Sequence, residues 1–322
     1  MIEIFVYLKK EQKLQPIKAV DLDQYLGQRH CLVWIDFNQP TFEEKNFLKH
    51  KFHFHPVCLR DCTCEKYFPK ISEYKDYLFI SVQSIKMKEE VESLRTINFS
   101  SFISSDYLVT YHEMPLHSID KIKKKLSEDI TLLSHDIEYF YMNILEEIVE
   151  RYTALLENIN KKIEMLENQL FEDSREHPID DILTQKKLLI RLKKFFFHQE
   201  EVIHKLGHHK YKNICEQCVP YFRNVEDYMR RISDLTEMNL DMIRGLLDAS
   251  FSLSSNRLGD AMRVLTVFAS ILLPLGVIAG IFGMNFKNIP GLNTSWGFPI
   301  VMLFMATVAA ALLIYFKKSK WL

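Results

Sequence analysis

Two long apolar segments lie close together near the C-terminal end of the chain. Val264–Phe286 holds 23 residues without a charge, and Phe298–Phe316 holds another 19. An α-helix needs about 20 residues to cross the hydrocarbon core of a bilayer. The pattern therefore predicts two transmembrane helices, assigned to residues 263–286 and 297–316, with a short polar loop at 287–296 between them.

The charges around these segments predict their orientation. Basic residues precede the first segment and follow the second, whereas the loop between them has only Lys287. Because basic residues concentrate on the cytoplasmic side, both termini are expected in the cytoplasm, with 317–322 as a basic tail. We expect a multi-pass protein of the cell (inner) membrane, embedded in the lipid bilayer; the alternative is a helical hairpin buried in a soluble core. The flanking basic residues are Arg257, Arg263, Lys317, Lys318 and Lys320.

Short apolar runs separated by polar and turn segments dominate the chain up to about residue 115. Their β-branched and aromatic residues predict strands, and Thr41–Phe52 has helical spacing. From about Ser118 a helical period follows, broken at 174–178, which predicts antiparallel helices. The fold class is therefore α+β, with residues 1–220 as a cytosolic α/β and helical domain. The predicted strands are Ile2–Leu8, Cys31–Phe37, Tyr77–Ile85, Ile97–Ile103 and Asp106–His112.

One helix is expected to continue from the soluble part into the membrane. Between Tyr221 and Pro274 the chain has no proline, and its heptad-like pattern runs directly into the first apolar segment. At 1.5 Å per residue, some 60 residues would extend roughly 90 Å, with 221–262 as a stalk. Such a helix needs something packed along it, and a bundle of identical copies is the economical solution.

Four aspartates stand seven residues apart on this predicted helix. On an α-helix they form one stripe that drifts by only about 20° per step, and in a bundle their carboxylates would suit hard cations such as Mg²⁺ or Ca²⁺. The alternative is a solvated acidic face paired with nearby arginines. We favour the solvated face for the first two and a metal role for the one nearest the membrane. The aspartate stripe comprises Asp227, Asp234, Asp241 and Asp248.

A second stripe, here called the pore stripe, lies in the first apolar segment. Its members are spaced by three and four residues, and small residues concentrate at its far end. A pore lined by it would be apolar near the cytosol, where dewetting can gate, and lined by backbone farther out. The alternative is tight helix packing through a small-xxx-small pair, Gly276 and Gly280. The pore stripe comprises Met262, Leu265, Ala269, Leu273, Gly276, Gly280 and Gly283.

Composition narrows the class of function. With 41 basic and 42 acidic residues the net charge is −1, which gives no bias toward nucleic acid. Phosphate-binding loops, nucleophile motifs and two-histidine metal signatures are not found, so an enzyme is not expected. A Cys-x-x-Cys at Cys215 and Cys218, after His208 and His209, is either a soft metal site or a pair of reduced thiols, and the thiols are favoured.

Gly283-Met284-Asn285, at the end of the first apolar segment and followed by Phe286 and Pro290, resembles the signature of the CorA magnesium-transporter family. HPVCLRDC at 55–62 is similar to the family's H-P-L-x-x-E-D segment, VPYFRNVEDY at 219–228 to its stalk, and YFKKSKWL at 315–322 to its basic tail. The resemblance covers much of the chain. It implies a homopentamer with a cytosolic funnel domain, a stalk continuing into a pore-lining first span, and an outer ring of second spans.

The resemblance also implies roles for individual residues. Gly283, Met284 and Asn285 would form the outer selectivity mouth and contact hydrated Mg²⁺, an ion that gives up its waters reluctantly. Met262 and Leu265 match the apolar gate. The regulatory metal site between subunits is expected to comprise Asp248, Asp241 and an acidic partner, Glu89 or Glu90, from the neighbouring funnel domain.

Mg²⁺ is thus expected both as the transported ion and as the regulator. Bound Mg²⁺ would bridge carboxylates that otherwise repel, holding the pentamer closed until cytosolic Mg²⁺ falls. Co²⁺ and Ni²⁺ are possible further cargo. Two alternatives remain: a transporter of the related zinc branch (ZntB), and a membrane-anchored scaffold or sensor that transports nothing.

Overall fold

The computed structural model of the protein describes residues 1–28, 30–64, 68–86, 95–172, 179–284, 296–319 and 321. The chain divides into two compact units, Met1–Leu246 and Leu247–Leu322, which are taken in turn.

A seven-stranded sheet forms the centre of the first unit, in the order β2-β1-β3-β7-β6-β5-β4. The β3–β7 pair is parallel and all other neighbours are antiparallel. The five predicted strands are all present, and the structure adds the two edge strands β2 and β4. The strands are β1 (Ile2–Leu8), β2 (Lys13–Ile17), β3 (Cys31–Asn38), β4 (Lys70–Glu73), β5 (Leu78–Lys86), β6 (Arg95–Ile103) and β7 (Tyr107–His112).

The described residues also form seven α-helices and three short 3₁₀ turns, the latter at Ala19–Gln24, Ile130–Leu133 and Glu216–Cys218. Helix α1 begins with a capping box, in which Glu44 N–H donates to Thr41 Oγ1 and the Glu44 carboxylate accepts from Thr41 N–H. The helices are α1 (Phe42–Phe52), α2 (Pro56–Thr63), α3 (His117–Glu128), α4 (Ile137–Phe171), α5 (Ile179–His208), α6 (Val219–Phe282) and α7 (Gly297–Lys318).

Both faces of the sheet are covered, which explains why β3 is buried at seven successive positions instead of alternating. On one face, Val33, Ile35 and Phe37 pack into a core with the side chains of α1 and α2. On the other, Trp34 makes an edge contact with Phe140 of α4, with ring centroids 4.9 Å apart. The sheet is therefore the middle layer of the unit.

A buried ion pair joins α3 to the centre of the sheet. Asp36 on β3 is fully buried, and its Oδ2 lies 2.6 Å from Lys123 Nζ. Its Oδ1 accepts a 2.7 Å hydrogen bond from Thr110 and lies 3.2 Å from His112 Nε2. Because an unpaired buried carboxylate is costly, this arrangement fixes the position of α3.

Helices α4 and α5 are antiparallel, as predicted. The Tyr152 ring on α4 lies 5.2 Å from the Phe196 ring on α5. The two residues are about equally far along the chain from the connection between the helices, as antiparallel packing requires. Tyr152 also hydrogen-bonds the Gln83 carbonyl of β5, and Gln199 accepts from Gln83 N–H at 3.2 Å. The helical hairpin is thereby attached to the sheet.

The second unit contains the end of α6 and all of α7. Both helices are long and apolar enough to cross a membrane. The mean hydropathy of the most apolar 18-residue stretch is 2.4 in each of them. Most of their large apolar side chains are exposed, whereas Val267 and Phe316 are buried. A surface of this kind needs lipid or further protein to cover it.

Candidate ion pathway and regulatory residues

A single helix carries both the aspartate stripe and the pore stripe. Helix α6 runs for 64 residues and contains Pro274 without ending there. Between Pro220 in its first turn and Pro274 it contains no proline, which allows it to continue. Its last residue, Phe282, directly precedes the Gly-Met-Asn motif. The helix prediction from Tyr221 into the first apolar segment is confirmed.

The pore stripe occupies one side of α6. At about 100° per residue, its members from Met262 to Gly283 fall within an arc of roughly 80°. In the single chain Met262 is 60% exposed and Leu273 is 71% exposed. A Cβ added at Gly276 or Gly280 would meet no atom within 4 Å. Neither glycine packs closely against the residues that the structure describes, so this face can line a pore or contact another copy.

The C-terminal end of α6 presents backbone oxygens beside the motif. Gly283 N–H donates to the Ala279 carbonyl at 2.9 Å, and Met284 N–H to the Ile281 carbonyl at 3.4 Å. The last carbonyls of a helix are only partly satisfied, and the helix dipole makes this end negative. Met284 is 50% exposed, while Asn285 lies outside the described residues. The end of α6 is thus suited to attract a cation.

The aspartates differ in their partners. Asp241 forms a 2.6 Å ion pair with Arg244. Among the described residues, the carboxylate of Asp248 has neither a hydrogen bond nor an ion pair, and it is exposed. A cation would therefore face less competition at Asp248 than at Asp241. Glu89 and Glu90, the expected acidic partners, lie outside the described residues.

Two arginines expected to neutralise the aspartate stripe are engaged elsewhere. Arg230 Nη2 donates to Glu226 Oε1 at 2.6 Å, and the guanidinium of Arg231 lies 5.6 Å from the centre of the Tyr228 ring. Within the part of the chain that the structure describes, Asp227 and Asp234 are exposed and have no arginine partner. Their exposure fits the predicted solvated face, whereas the arginine pairing expected with that face is not observed for these two aspartates among the described residues.

The predicted basic residues are exposed where the structure describes them. Arg263 forms an ion pair with Asp260 at 3.3 Å, and Lys317 and Lys318 end α7. Arg257 is also exposed, and Lys320 lies outside the described residues.

The structure brings together three residues that the sequence did not group. His204 and His208 on α5 both contact Glu226 on α6. Their spacing of four residues was a visible signal, but their carboxylate partner comes from another helix. Cys215 and Cys218 are not part of this grouping, and burial raises the pKa of the Cys218 thiol to about 12.

Comparisons with known proteins agree with this architecture. A family model described as CorA-like Mg²⁺ transporter protein matches residues 30–318. The cobalt/magnesium transport protein CorA of Thermotoga maritima is 30% identical over 272 residues, covering 84% of this chain and 78% of that protein. The zinc transport protein ZntB of Yersinia pseudotuberculosis is 22% identical over 305 residues, covering 91% and 88%.

Among solved structures, the complete CorA magnesium transporter of Methanocaldococcus jannaschii superposes with a TM-score of 0.87 at 21% identity. The match covers 100% of this chain and 99% of that one. The α+β fold with two C-terminal apolar helices is therefore confirmed.

Proposed function

The chain belongs to the CorA-like Mg²⁺ transporter family, and on that premise we propose that it is a divalent-cation channel that carries Mg²⁺ across a membrane. The observation that carries the proposal is the end of α6 at Phe282, immediately before Gly283-Met284-Asn285. The family's signature tripeptide thus follows the negative end of a long apolar helix, where a cation is favoured.

The conducting form is proposed to be a homopentamer. Five copies of α6 would surround the axis with the pore stripe inward and α7 outside, which covers apolar surface that is exposed in the single chain. Side chains of five Asn285 residues and nearby carbonyls would hydrogen-bond the water shell of Mg²⁺ at the mouth. This suits an ion that dehydrates reluctantly.

The narrow apolar level of this pore is proposed at Met262 and Leu265. A ring of such side chains disfavours water when it is narrow and admits it when it widens, so a small movement of α6 would open or close the path. The glycines farther along the stripe leave room for a hydrated ion.

Regulation by Mg²⁺ is proposed to act through Asp248, with Asp241 and an acidic residue of a neighbouring subunit, Glu89 or Glu90. The supporting observation is that the Asp248 carboxylate has no partner among the described residues, whereas that of Asp241 must first release Arg244. Bound Mg²⁺ would join like-charged carboxylates and favour the closed state. A fall in cytosolic Mg²⁺ would remove these bridges.

The proposed location is the cell (inner) membrane, with both termini in the cytoplasm and the basic residues at that face. Mg²⁺ is proposed as the principal cargo, with Co²⁺ as a further one, because the T. maritima relative named for both ions is more similar than the zinc relative. Ni²⁺ stays a prediction. As a transporter the protein performs no catalysis, and a scaffold that only tethers its first unit is the competing role.

Mg²⁺ uptake by purified protein in proteoliposomes tests the proposal, with Asn285→Ala as the variant and Asn293→Ala, in the predicted loop 287–296, as the matched control. Loss of the side-chain amide at the mouth should lower uptake by about tenfold or more, and the control should stay within about twofold of wild type. Both variants should keep the wild-type size in detergent. Equal uptake by wild type and Asn285→Ala would contradict the selectivity mouth.

A further inference from the structure

We propose that His204, His208 and Glu226 form a binding site for a divalent transition-metal ion of the Zn²⁺ class, which joins α5 to α6 within one subunit. The site lies in the first unit and uses none of the residues assigned to Mg²⁺ transport. It therefore stands or falls independently of the proposed channel.

The three side chains already converge. His204 and His208 are four residues apart and so lie on the same face of α5, with ring centroids 4.4 Å apart. His204 Nδ1 lies 2.8 Å from Glu226 Oε1, and His208 Nε2 lies 3.0 Å from Glu226 Oε2. The candidate ligand atoms all lie within 4.8 Å of one another.

The two imidazole–carboxylate distances are slightly shorter than the spacing of ligand atoms around a bound metal, and the 4.8 Å limit on the whole set is longer. With metal–ligand bonds of about 2.0–2.1 Å, neighbouring ligand atoms of a tetrahedral Zn²⁺ are roughly 3.3 Å apart. Small rotations of the two imidazole rings would therefore admit an ion between them and the carboxylate. The rings are half-exposed, with 48% of the His204 side chain and 41% of the His208 side chain accessible. Ions can reach the site from solvent, and water can complete the coordination.

The donor set selects the class of metal. Two imidazole nitrogens and one carboxylate suit Zn²⁺, Co²⁺ and Ni²⁺, whereas Mg²⁺ prefers oxygen ligands and retains its waters. Mg²⁺ at cytosolic concentration should therefore not compete. This distinguishes the site from the carboxylates of the aspartate stripe.

The carboxylate is held in place by its surroundings. Glu226 is only 2% exposed, and Arg230 Nη2 donates to its Oε1 at 2.6 Å. The carboxylate is thus held in one orientation, as expected of a metal ligand that a neighbouring group supports.

A glycine allows the two helices to approach at this point. A Cβ added at Gly207 would lie 3.2 Å from Glu226 Oε2 and 3.2 Å from Arg223 Cγ. Arg223 Nε also donates to the Gly207 carbonyl at 3.0 Å. The end of α5 is therefore anchored to α6 beside the site. As a result, the ligands need to move only a little to bind a metal ion.

Co²⁺ binding to the full-length, chelator-treated protein in detergent tests the proposal, because Co²⁺ bound by histidines in four- or five-coordinate geometry absorbs visible light more strongly than octahedral Co²⁺. We expect one such ion per subunit, displaced by stoichiometric Zn²⁺ but not by millimolar Mg²⁺. His204→Ala and His208→Ala should each weaken binding at least about tenfold. His209→Ala and His198→Ala, which alter histidines outside the cluster, serve as matched controls.

Two further results keep the test decisive. Glu226→Gln should abolish the visible band while keeping the shape of the side chain. If this variant does not fold, His204→Ala decides the test, because His204 is half-exposed and its replacement should leave the fold intact. A Co²⁺ signal that is unchanged in both histidine variants, or that Mg²⁺ displaces, would overturn the site. The three residues would then form a structural hydrogen-bonded cluster only.

Discussion

Replacing Lys123 by Met should strongly destabilise the first unit, because Lys123 is the cation that faces the buried Asp36. The methionine keeps much of the apolar stem, but among the described residues it leaves the carboxylate with only Thr110 and His112. Asp36 is fully buried, and the Lys123 side chain is 16% exposed, so solvent replaces little of the lost interaction. Breaking a buried pair from one side costs about 3–5 kcal/mol, which corresponds to a fall in Tm of roughly 6–20 °C for a unit of this size.

Thermal unfolding of the full-length protein in detergent measures this cost. Trp34 is fully buried and lies under Lys123, with Nζ 5.9 Å from the ring centre. Its fluorescence therefore reports on this region once Trp296 and Trp321 are replaced by Phe. Lys124→Met, at the exposed neighbouring position, is the control and should shift stability by less than about 0.5 kcal/mol.

The double variant and the pH dependence make the reasoning refutable. Asp36→Asn combined with Lys123→Met should recover most of the loss, since the fully buried charge is removed. Glu3, which also pairs with Lys123, is partly exposed and can be solvated in the double variant. Burial raises the pKa of Asp36, but His112 and Lys123 lower it below its ordinary value. That contribution to stability is present above the unfolded pKa and is lost as the pH falls through the folded one. Lys123→Met removes one of the groups that lower this pKa, so the deficit should shrink as the pH falls into the range where Asp36 takes up a proton. A single variant within about 1 kcal/mol of wild type, or a double variant without recovery, would refute the account.

Three further predictions concern the helices. Thr41→Ala removes the capping box of α1 and should cost about 1 kcal/mol in thermal unfolding; an unchanged Tm would contradict the role of the cap. A water-soluble thiol reagent should block Mg²⁺ flux through the Leu273→Cys variant but not through Ile271→Cys, whose side chain lies about 160° away on α6. Equal block of both variants would contradict a pore lined by the Leu273 side of the helix. Asp248→Asn should raise the internal Mg²⁺ concentration needed for half-inhibition by about tenfold, whereas Asp227→Asn should leave it unchanged. A larger effect of Asp227→Asn would contradict the assignment of the regulatory site to Asp248.

Strands with many apolar positions were predictable, whereas the edge strands were not. β2 contains Pro16, which has no N–H to donate to a neighbouring strand. It is tolerated because β2 is an edge strand of the described sheet, next to β1. β4 is four residues long and half-exposed, so it has no apolar run to reveal it. The short helix α2 was also missed. Its signal is local, with Pro56 at its start and His55 accepting from Val57 N–H.

The stripes on α6 were predictable because a helical period is visible in one chain. The histidine–glutamate cluster was not, because it depends on the packing of α5 against α6. From sequence, His208 was considered together with Cys215 and Cys218, its neighbours along the chain, while its partner Glu226 is 18 residues away. Periodicity identifies a face of one helix, but it does not say which other helix will meet that face.

Mg²⁺ entry into proteoliposomes that contain only the purified wild-type protein tests the central claim most directly. Uptake should be measured at low and at millimolar Mg²⁺ on the cytosolic face, with Zn²⁺ entry measured in parallel. The account predicts Mg²⁺ uptake that is fast at low internal Mg²⁺ and falls as internal Mg²⁺ rises. Entry of Zn²⁺ without Mg²⁺, or no flux of either ion under any condition, would contradict it.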